Sequence, residues 1–410
     1  MPHPTRREWL GLTLAAAVGG PALARPDAIK LPARAVTKGP KHHWFGYYDK
    51  CPWDMTGRYL LAMENDFCDR QPTATDRITV GMVDLKDNDR FIPLDTTLAW
   101  SWQQGTMLQW LGSAPDREVI YNAFLEGNPA AVIRDVKTNK TRTLPRPIYA
   151  VSADGKQAVT LDFARLHRLR PGSGYASYKE TFADDPAPEA LGIWHVDPAT
   201  GKDKQIISLK QLAAHKPDPR FTGAHHWVNH LQFNPGGSRF VFLHRWRVGE
   251  KPWSTRLYTA KPDGTDLRLH LDTGMVSHFD WRDDATLLAW VKPPTGGNTF
   301  ALIDVATDSL TVVDDSVLTV DGHCSYSPDR KWILNDTYPD KDRLQWLMLF
   351  DPAKNRRYDL NQFASPKAFT GPVRCDLHPR WNRGGTQVCF DGCHDPQRQV
   401  YVVDVRDVVR

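Results

Sequence analysis

The chain has 410 residues, with 52 Lys and Arg set against 48 Asp and Glu for a net charge of +4. Both signs are dispersed along it, which excludes a nucleic-acid binder built on basic stripes. With 28 Gly, 31 Pro and 15 Trp and no long amphipathic helical period, the composition suits many short strands joined by tight turns.

Residues 1–24 predict an export leader. Thr5-Arg6-Arg7-Glu8-Trp9-Leu10 precedes the apolar run Leu14 to Val18, and Pro21-Ala22-Leu23-Ala24 supplies the small residues of a cleavage site. The paired arginines fit a twin-arginine signal, with an ordinary secretory signal as the alternative. The run is too short to span a bilayer, so the mature chain is expected to begin near Arg25, periplasmic or secreted and with no membrane attachment.

From there one cassette recurs seven times: a polar start, an alternating strand, a Pro/Asp/Gly turn and a second strand. Its copies fall at 47–62, 109–122, 149–161, 230–243, 278–290, 323–335 and 378–390, and the last four begin with His230, His278, His323 and His378. Period-2 alternation around a tight turn is the mark of a hairpin with one buried face. A third strand ending in an apolar-Asp pattern follows each copy, as in GMVDLKDND at 81–89 and FALIDVATDS at 300–309. Spacing of mostly 40 to 60 residues predicts an all-β fold, a seven-bladed β-propeller of four-stranded blades, as a single domain over 25–410. The longest interval holds the repeat-breaking segment 164–188, rich in Arg, Gly, Tyr and Pro, which is expected to lie like a lid over one mouth of the channel.

Six cysteines are too few for a disulfide framework in a chain of this size. Cys51 with Cys68, or two among Cys375, Cys389 and Cys393, are the pairings open to it. Cys389 and Cys393 have no second pair at zinc-finger spacing.

Propeller geometry brings the start of each inner strand and the end of each second strand to one mouth. The residues at those positions include His43, Tyr48, Gln104, Arg168, Arg170, Tyr175, His225, His226, His230, Arg245, Arg247, His278, His323, Tyr338, Arg374 and His378. Converging neutral imidazoles suit a divalent metal such as Mn, Zn, Ni or Fe. The arginines suit carboxylates held by two parallel hydrogen bonds, and the aromatic rings suit sugar faces. An acidic oligo- or polysaccharide is therefore the expected partner, bound by a monomer. His43, Tyr48, Gln104, Arg168, Arg170, His225 and Arg374 are the expected substrate contacts.

His230-Leu231-Gln232-Phe233-Asn234-Pro235, the strand ending in His244 and Asp263-Gly264-Thr265 resemble the central stretch of oligogalacturonate lyases. Those are seven-bladed propellers that cleave uronic-acid oligosaccharides, as in pectin, by metal-assisted β-elimination. The resemblance covers roughly 220–400 and places His278 and His323 where that family keeps metal ligands. Val320 and Ser325 stand where further partners would be expected, so His230 or His378 must complete the set. The resemblance implies metal ligands His278, His323 and His378, with manganese as the favoured ion. It also implies His226 or His230 as base, Arg245 or Arg247 as carboxylate partner and Tyr175 or Tyr338 as acid. Two other readings stay open: a binding propeller of the TolB-like kind without catalysis, and a glycoside hydrolase using two of Asp66, Asp162, Asp336 and Asp391.

Overall fold

The computed structural model describes residues 27–314 and 316–410. The predicted leader lies outside them. Seven antiparallel sheets succeed one another along the chain as the blades of a closed β-propeller, from blade 1 at 42–97 to blade 7 at 380–404. All seven cassettes and all seven third strands are present, the third strands beginning with Ile78–Asp84 and ending with Gln399–Asp404. No helix among the described residues is long and apolar enough to cross a membrane.

The recurring Asp at the end of the third strand has a local cause. Its carboxylate accepts from backbone N–H groups two and three residues on: Asp135 from Lys137 and Thr138, Asp197 from Ala199 and Thr200, Asp304 from Ala306 and Thr307. The side chain thus closes the turn to the outer strand.

The ring closes in two places. Ala33–Ala35 pairs with Gln399–Asp404 as the fourth strand of blade 7, and Asp27–Ala28 adds in parallel to the outer strand of blade 6. Both belong to the chain's start, so the N-terminal segment locks the last blades. Apolar clusters fill the seams between blades; at the closing seam Val36, Trp53, Leu60, Cys389 and Val400 pack together, each almost fully buried. Burying such a side chain is worth about 1.5–3 kcal/mol.

Blade 1 departs from its cassette. Its inner strand starts at His42–Trp44, ahead of the repeat, and its next four residues, Phe45 to Tyr48, enter the channel instead of pairing in the sheet. Gly46 makes this possible: its φ is +115°, and a Cβ there would lie 2.9 Å from the Gln104 carbonyl carbon. The stranded backbone is taken up by blade 7. Asp391 accepts from the N–H groups of Phe45 and Gly46 at 3.1 and 3.3 Å, while Arg380 donates to the carbonyls of Gly46 and Tyr47 at 2.7 and 3.3 Å. Asp391 is itself paired with Arg380 and Arg398, and all three are essentially unexposed.

The segment 164–188 is fixed rather than loose. It opens with the helix Phe163–Leu169, capped by Asp162. The buried Arg165 guanidinium donates to Glu180 and to the carbonyls of Phe182, Asp185, Pro186 and His226. It thereby gathers the segment onto blade 4.

The six cysteines are all free thiols. Cys51 points at the carbonyls of Trp53 and Trp381, whereas Cys68 packs with Phe369, Cys375 and Cys393, so the Cys51–Cys68 bridge is not made. Cys389 faces Arg380, away from that cluster.

Removing the Asp391 carboxylate leaves two buried guanidinium groups without their counter-charge. Asp391→Ala is expected to destabilise the fold by about 3–5 kcal/mol, read from the midpoint of denaturant unfolding.

Candidate functional site

The channel face of blades 4 to 7 is set by local backbone geometry. The register of blade 4 shifts between Asn229 and Gln232, and that of blade 5 between Val276 and Phe279. These bulges contain His230 and His278 and turn both rings toward the axis. His230 has φ +53° and His378 φ +43°, left-handed conformations that a side chain larger than glycine adopts at a cost. Tyr47 completes the ring from blade 1. Its ring centroid lies 5.0 Å from His230, 6.0 Å from His323 and 5.0 Å from His378.

Above these rings is a cavity of about 270 Å³ whose wall includes Tyr47, Arg170, His230, Arg245, Trp253, His278, Asp321, Tyr338 and Arg374. Arg170 stands at the C-terminal end of the Phe163–Leu169 helix, so the predicted lid segment contributes a cation to this wall. Arg245 donates to Thr255 at 3.2 Å, and one of its terminal nitrogens is buried without a partner among the described residues; Arg170 Nε is in the same condition. Neither guanidinium has a carboxylate partner there. Burial and the neighbouring Arg170 bring Arg245 down to about 10, leaving it charged at neutral pH. Trp253 lies under both, 4.5 Å from Arg170 and 5.6 Å from Arg245. Two buried, unpaired guanidinium groups above an indole face form a carboxylate site by chemistry.

The proton-handling groups sit opposite. Tyr47 Oη is 3.4 Å from His230 Nε2. Burial, reinforced by Arg245, holds His230 well below its ordinary value, so the imidazole is neutral. Burial raises both Tyr47 and Tyr338, so each hydroxyl keeps its proton.

Beside the cavity, His323, Asp376 and His378 offer ligand atoms that all lie within 4.8 Å of one another. His323 Nε2, both His378 ring nitrogens and Asp376 Oδ1 are buried without a partner among the described residues. Asp336, itself fully buried, accepts from the backbone N–H of His323 at 2.7 Å, from His323 Nδ1 at 2.9 Å and from the backbone N–H of His378 at 3.1 Å. One carboxylate therefore fixes the tautomer of His323, with Nε2 free, and the placement of His378. Burial lowers His323, but the charge and hydrogen bond of Asp336 outweigh it. Two imidazoles, one carboxylate and open positions make a donor set that fits a divalent metal such as Mn or Fe. His278 lies beside this group, its ring centroid 4.2 Å from that of His323 and its Nδ1 bonded to Asp321 at 3.0 Å, and Asp376 joins His323 and His378 as a carboxylate donor.

The remaining expected residues lie elsewhere. His226 is buried against His244 at 2.9 Å, and Tyr175 stacks on Phe163 with its hydroxyl on Asn122. Arg247 faces Glu250 on the rim and Arg168 is paired with Glu180. His43 is bonded to Gln399 in the seam of blades 1 and 7, Gln104 to Tyr149, and His225 does not line the cavity. Tyr48 spans the channel, its hydroxyl donating to the Phe279 carbonyl at 2.8 Å and accepting from the Phe279 N–H at 3.0 Å. Among the acids named for a hydrolase, Asp162 caps a helix, Asp336 and Asp391 are buried in the bonds above, Asp66 lies near Lys41, and none lines the cavity. By sequence Tyr47 heads the first cassette and Asp376 stands two residues before a cassette histidine, which puts both at the mouth without giving either a role; Trp253 carried no such signal.

The molecule is thus a seven-bladed propeller with a cationic, histidine-rich chamber at one mouth of its channel. It is similar in structure to an oligogalacturonate lyase in complex with manganese, with a TM-score of 0.66 and 15% identity over 93% of this chain and 95% of that one. It is similar also to the oligogalacturonate lyase of Vibrio parahaemolyticus, with a TM-score of 0.64 and 14% identity over 94% of this chain and all of that one. No family model and no curated protein matches the sequence. At this identity the likeness establishes the shared fold.

The His226–His244 pair makes stability depend on pH. Burial holds His226 at about 4 against 6.5 for the free side chain, so below 6.5 the unfolded chain binds a proton that the folded chain refuses. Stability is full above 6.5 and is lost as pH falls toward 4, by roughly 3 kcal/mol from this residue. Denaturant midpoints across that window should fall less steeply in His226→Gln than in the native protein.

Proposed function

We propose that the protein is a lyase that cleaves uronic-acid oligosaccharides by β-elimination. The observation that carries this is the meeting, in one chamber, of unpaired arginines, a neutral histidine bonded to a protonated tyrosine, and a buried His-Asp-His ligand set. Manganese in the similar lyase structure supports the metal part, and galacturonate oligomers of the pectin type are the substrates the likeness favours. The export leader expected at 1–24 from the sequence supports a periplasmic or secreted protein.

In this reading Arg245 and Arg170, with Arg374 at the rim, hold the substrate carboxylate over Trp253. Their charge stabilises the enolate-like state formed when the α-proton leaves. His230 removes that proton, since its neutral imidazole is the state a base requires. The electron pair forms the new carbon–carbon double bond, the bond to the β-oxygen breaks, and Tyr47 or Tyr338 returns a proton to the departing oxygen. A divalent metal held by His323, Asp376 and His378 would supply Lewis-acid neutralisation of the substrate carboxylate. Tyr47 replaces Tyr175 as the acid beside Tyr338, because Tyr175 lies in the core.

Incubation with galacturonate oligomers and other uronate glycans, with and without manganese, should produce the ultraviolet absorbance of an unsaturated uronate. His230→Gln is expected to lower kcat by about 10²–10⁴-fold, and Arg245→Met by about 10²–10³-fold. Reducing ends without that absorbance would replace the lyase by a hydrolase, and binding without cleavage would leave a carbohydrate-binding propeller.

The ligand set has its own test. Asp336→Asn should weaken manganese binding by about 10–100-fold, measured calorimetrically, because the amide has one acceptor oxygen and no charge and so cannot hold both His323 and the His378 N–H. His323→Ala with His378→Ala should abolish stoichiometric metal.

A further inference from the structure

A second chamber lies farther down the same channel and is built by the same inner strands. On each of the four blades the residue two places after the channel histidine, past the bulge or at the start of the strand, faces the channel farther down. Those residues are Gln232, Asp280, Ser325 and Arg380. All four line a cavity of about 380 Å³ that has Tyr48 in its wall and shares no lining residue with the upper one. Tyr47 and Tyr48, adjacent in the chain, thus face different chambers.

Its chemistry is unbalanced in two ways. Lys50, Arg330, Arg380 and Arg383 stand in its wall against two carboxylates, Asp49 and Asp280. Lys50 is held by Asp49, Arg380 by Asp391, and Arg330 lies 3.8 Å from Asp280. The only hydrogen bond of the Arg383 guanidinium among the described residues is to the Trp53 carbonyl. Gln232 Oε1, Ser325 Oγ and Trp381 Nε1 are moreover buried without a partner among those residues, although Trp381 is only 6% exposed. An indole N–H can only donate, and one left buried and unpaired costs stability that a bound acceptor would recover.

We infer that this lower chamber is a second binding site, for a small hydroxylated carboxylic acid of the size of one sugar ring. The Arg383 guanidinium, left over once the other cations are matched with acids, takes the carboxylate, and the indole N–H, the serine hydroxyl and the amide oxygen match ring hydroxyls as donor, donor-acceptor and acceptor. The volume falls within the range of small-molecule sites. The inference goes beyond the lyase reading and does not require it.

Calorimetric titration of the full chain with galacturonate tests it, using inorganic phosphate as comparator and Arg245→Met, Trp381→Phe and Arg383→Gln as variants. A galacturonate site is expected that survives Arg245→Met and weakens by at least ~10-fold in Trp381→Phe and in Arg383→Gln, with unchanged thermal midpoints. Trp381→Phe removes the donor while keeping an aromatic ring in the wall, and Arg383→Gln, at an exposed side chain, tests the site without touching the core. Binding abolished by Arg245→Met and untouched by the other two, no binding at all, or phosphate bound as tightly through the same residues would each overturn the inference. Loss of unsaturated product with this site intact would overturn only the lyase reading.

Discussion

A chain that leaves its sheet inside a protein strands its own hydrogen-bonding groups, and here the buried Asp391–Arg380 pair receives them. Phe45 to Tyr48 depart from blade 1, and blade 7 supplies both the acceptor for their N–H groups and the donor for their carbonyls. Everything in the channel follows. Tyr47 is placed against three histidines, Tyr48 is bonded across to the backbone of blade 5, and one central channel becomes two chambers of different chemistry. Because the pair lies at the seam where the ring closes, closure of the fold and construction of the site are one event.

The same economy governs the upper chamber. Asp336 accepts from His323 and His378 at once, so two blades present their imidazoles in fixed orientation through a single buried carboxylate. Positive charge is concentrated on the opposite wall, where Arg170 and Arg245 each keep a buried nitrogen without a hydrogen-bond partner among the described residues. Left-handed backbone at His230 and His378 is a local cost that the surrounding bonds sustain. Cations without a carboxylate partner among the described residues, neutral bases and strained backbone at one mouth distinguish this end of the channel from the blade seams, which apolar clusters fill.

Six of the residues chosen from sequence line the cavity: Arg170, His230, Arg245, His278, Tyr338 and Arg374. They were legible because cassette position converts to channel position. His226 was misplaced because the rule gives height along the strand and not the face, its ring lying against His244, whereas Arg247 shares the face of Arg245 two residues farther along and lies near Glu250. Tyr175 and Arg168 lie in the segment that breaks the repeat, where no periodicity assigns a direction. Asp376 was placed at the mouth by its position two residues before His378, but a carboxylate in a loop has many ordinary uses, and only its convergence with His323 and His378 suggests a role.

Sequence by itself determined the number of blades, their order and the position of each hairpin, because period-2 alternation and turn chemistry act over a few residues and repeat seven times. It also determined that four histidines would face one channel. The tertiary structure decided how the ring closes, which carboxylate converges with His323 and His378, and which arginines lie without a carboxylate partner among the described residues. Those are relations between residues as far apart as Gly46 and Arg380, or Arg170 and Arg245, and they depend on which buried polar groups find partners once the blades have packed.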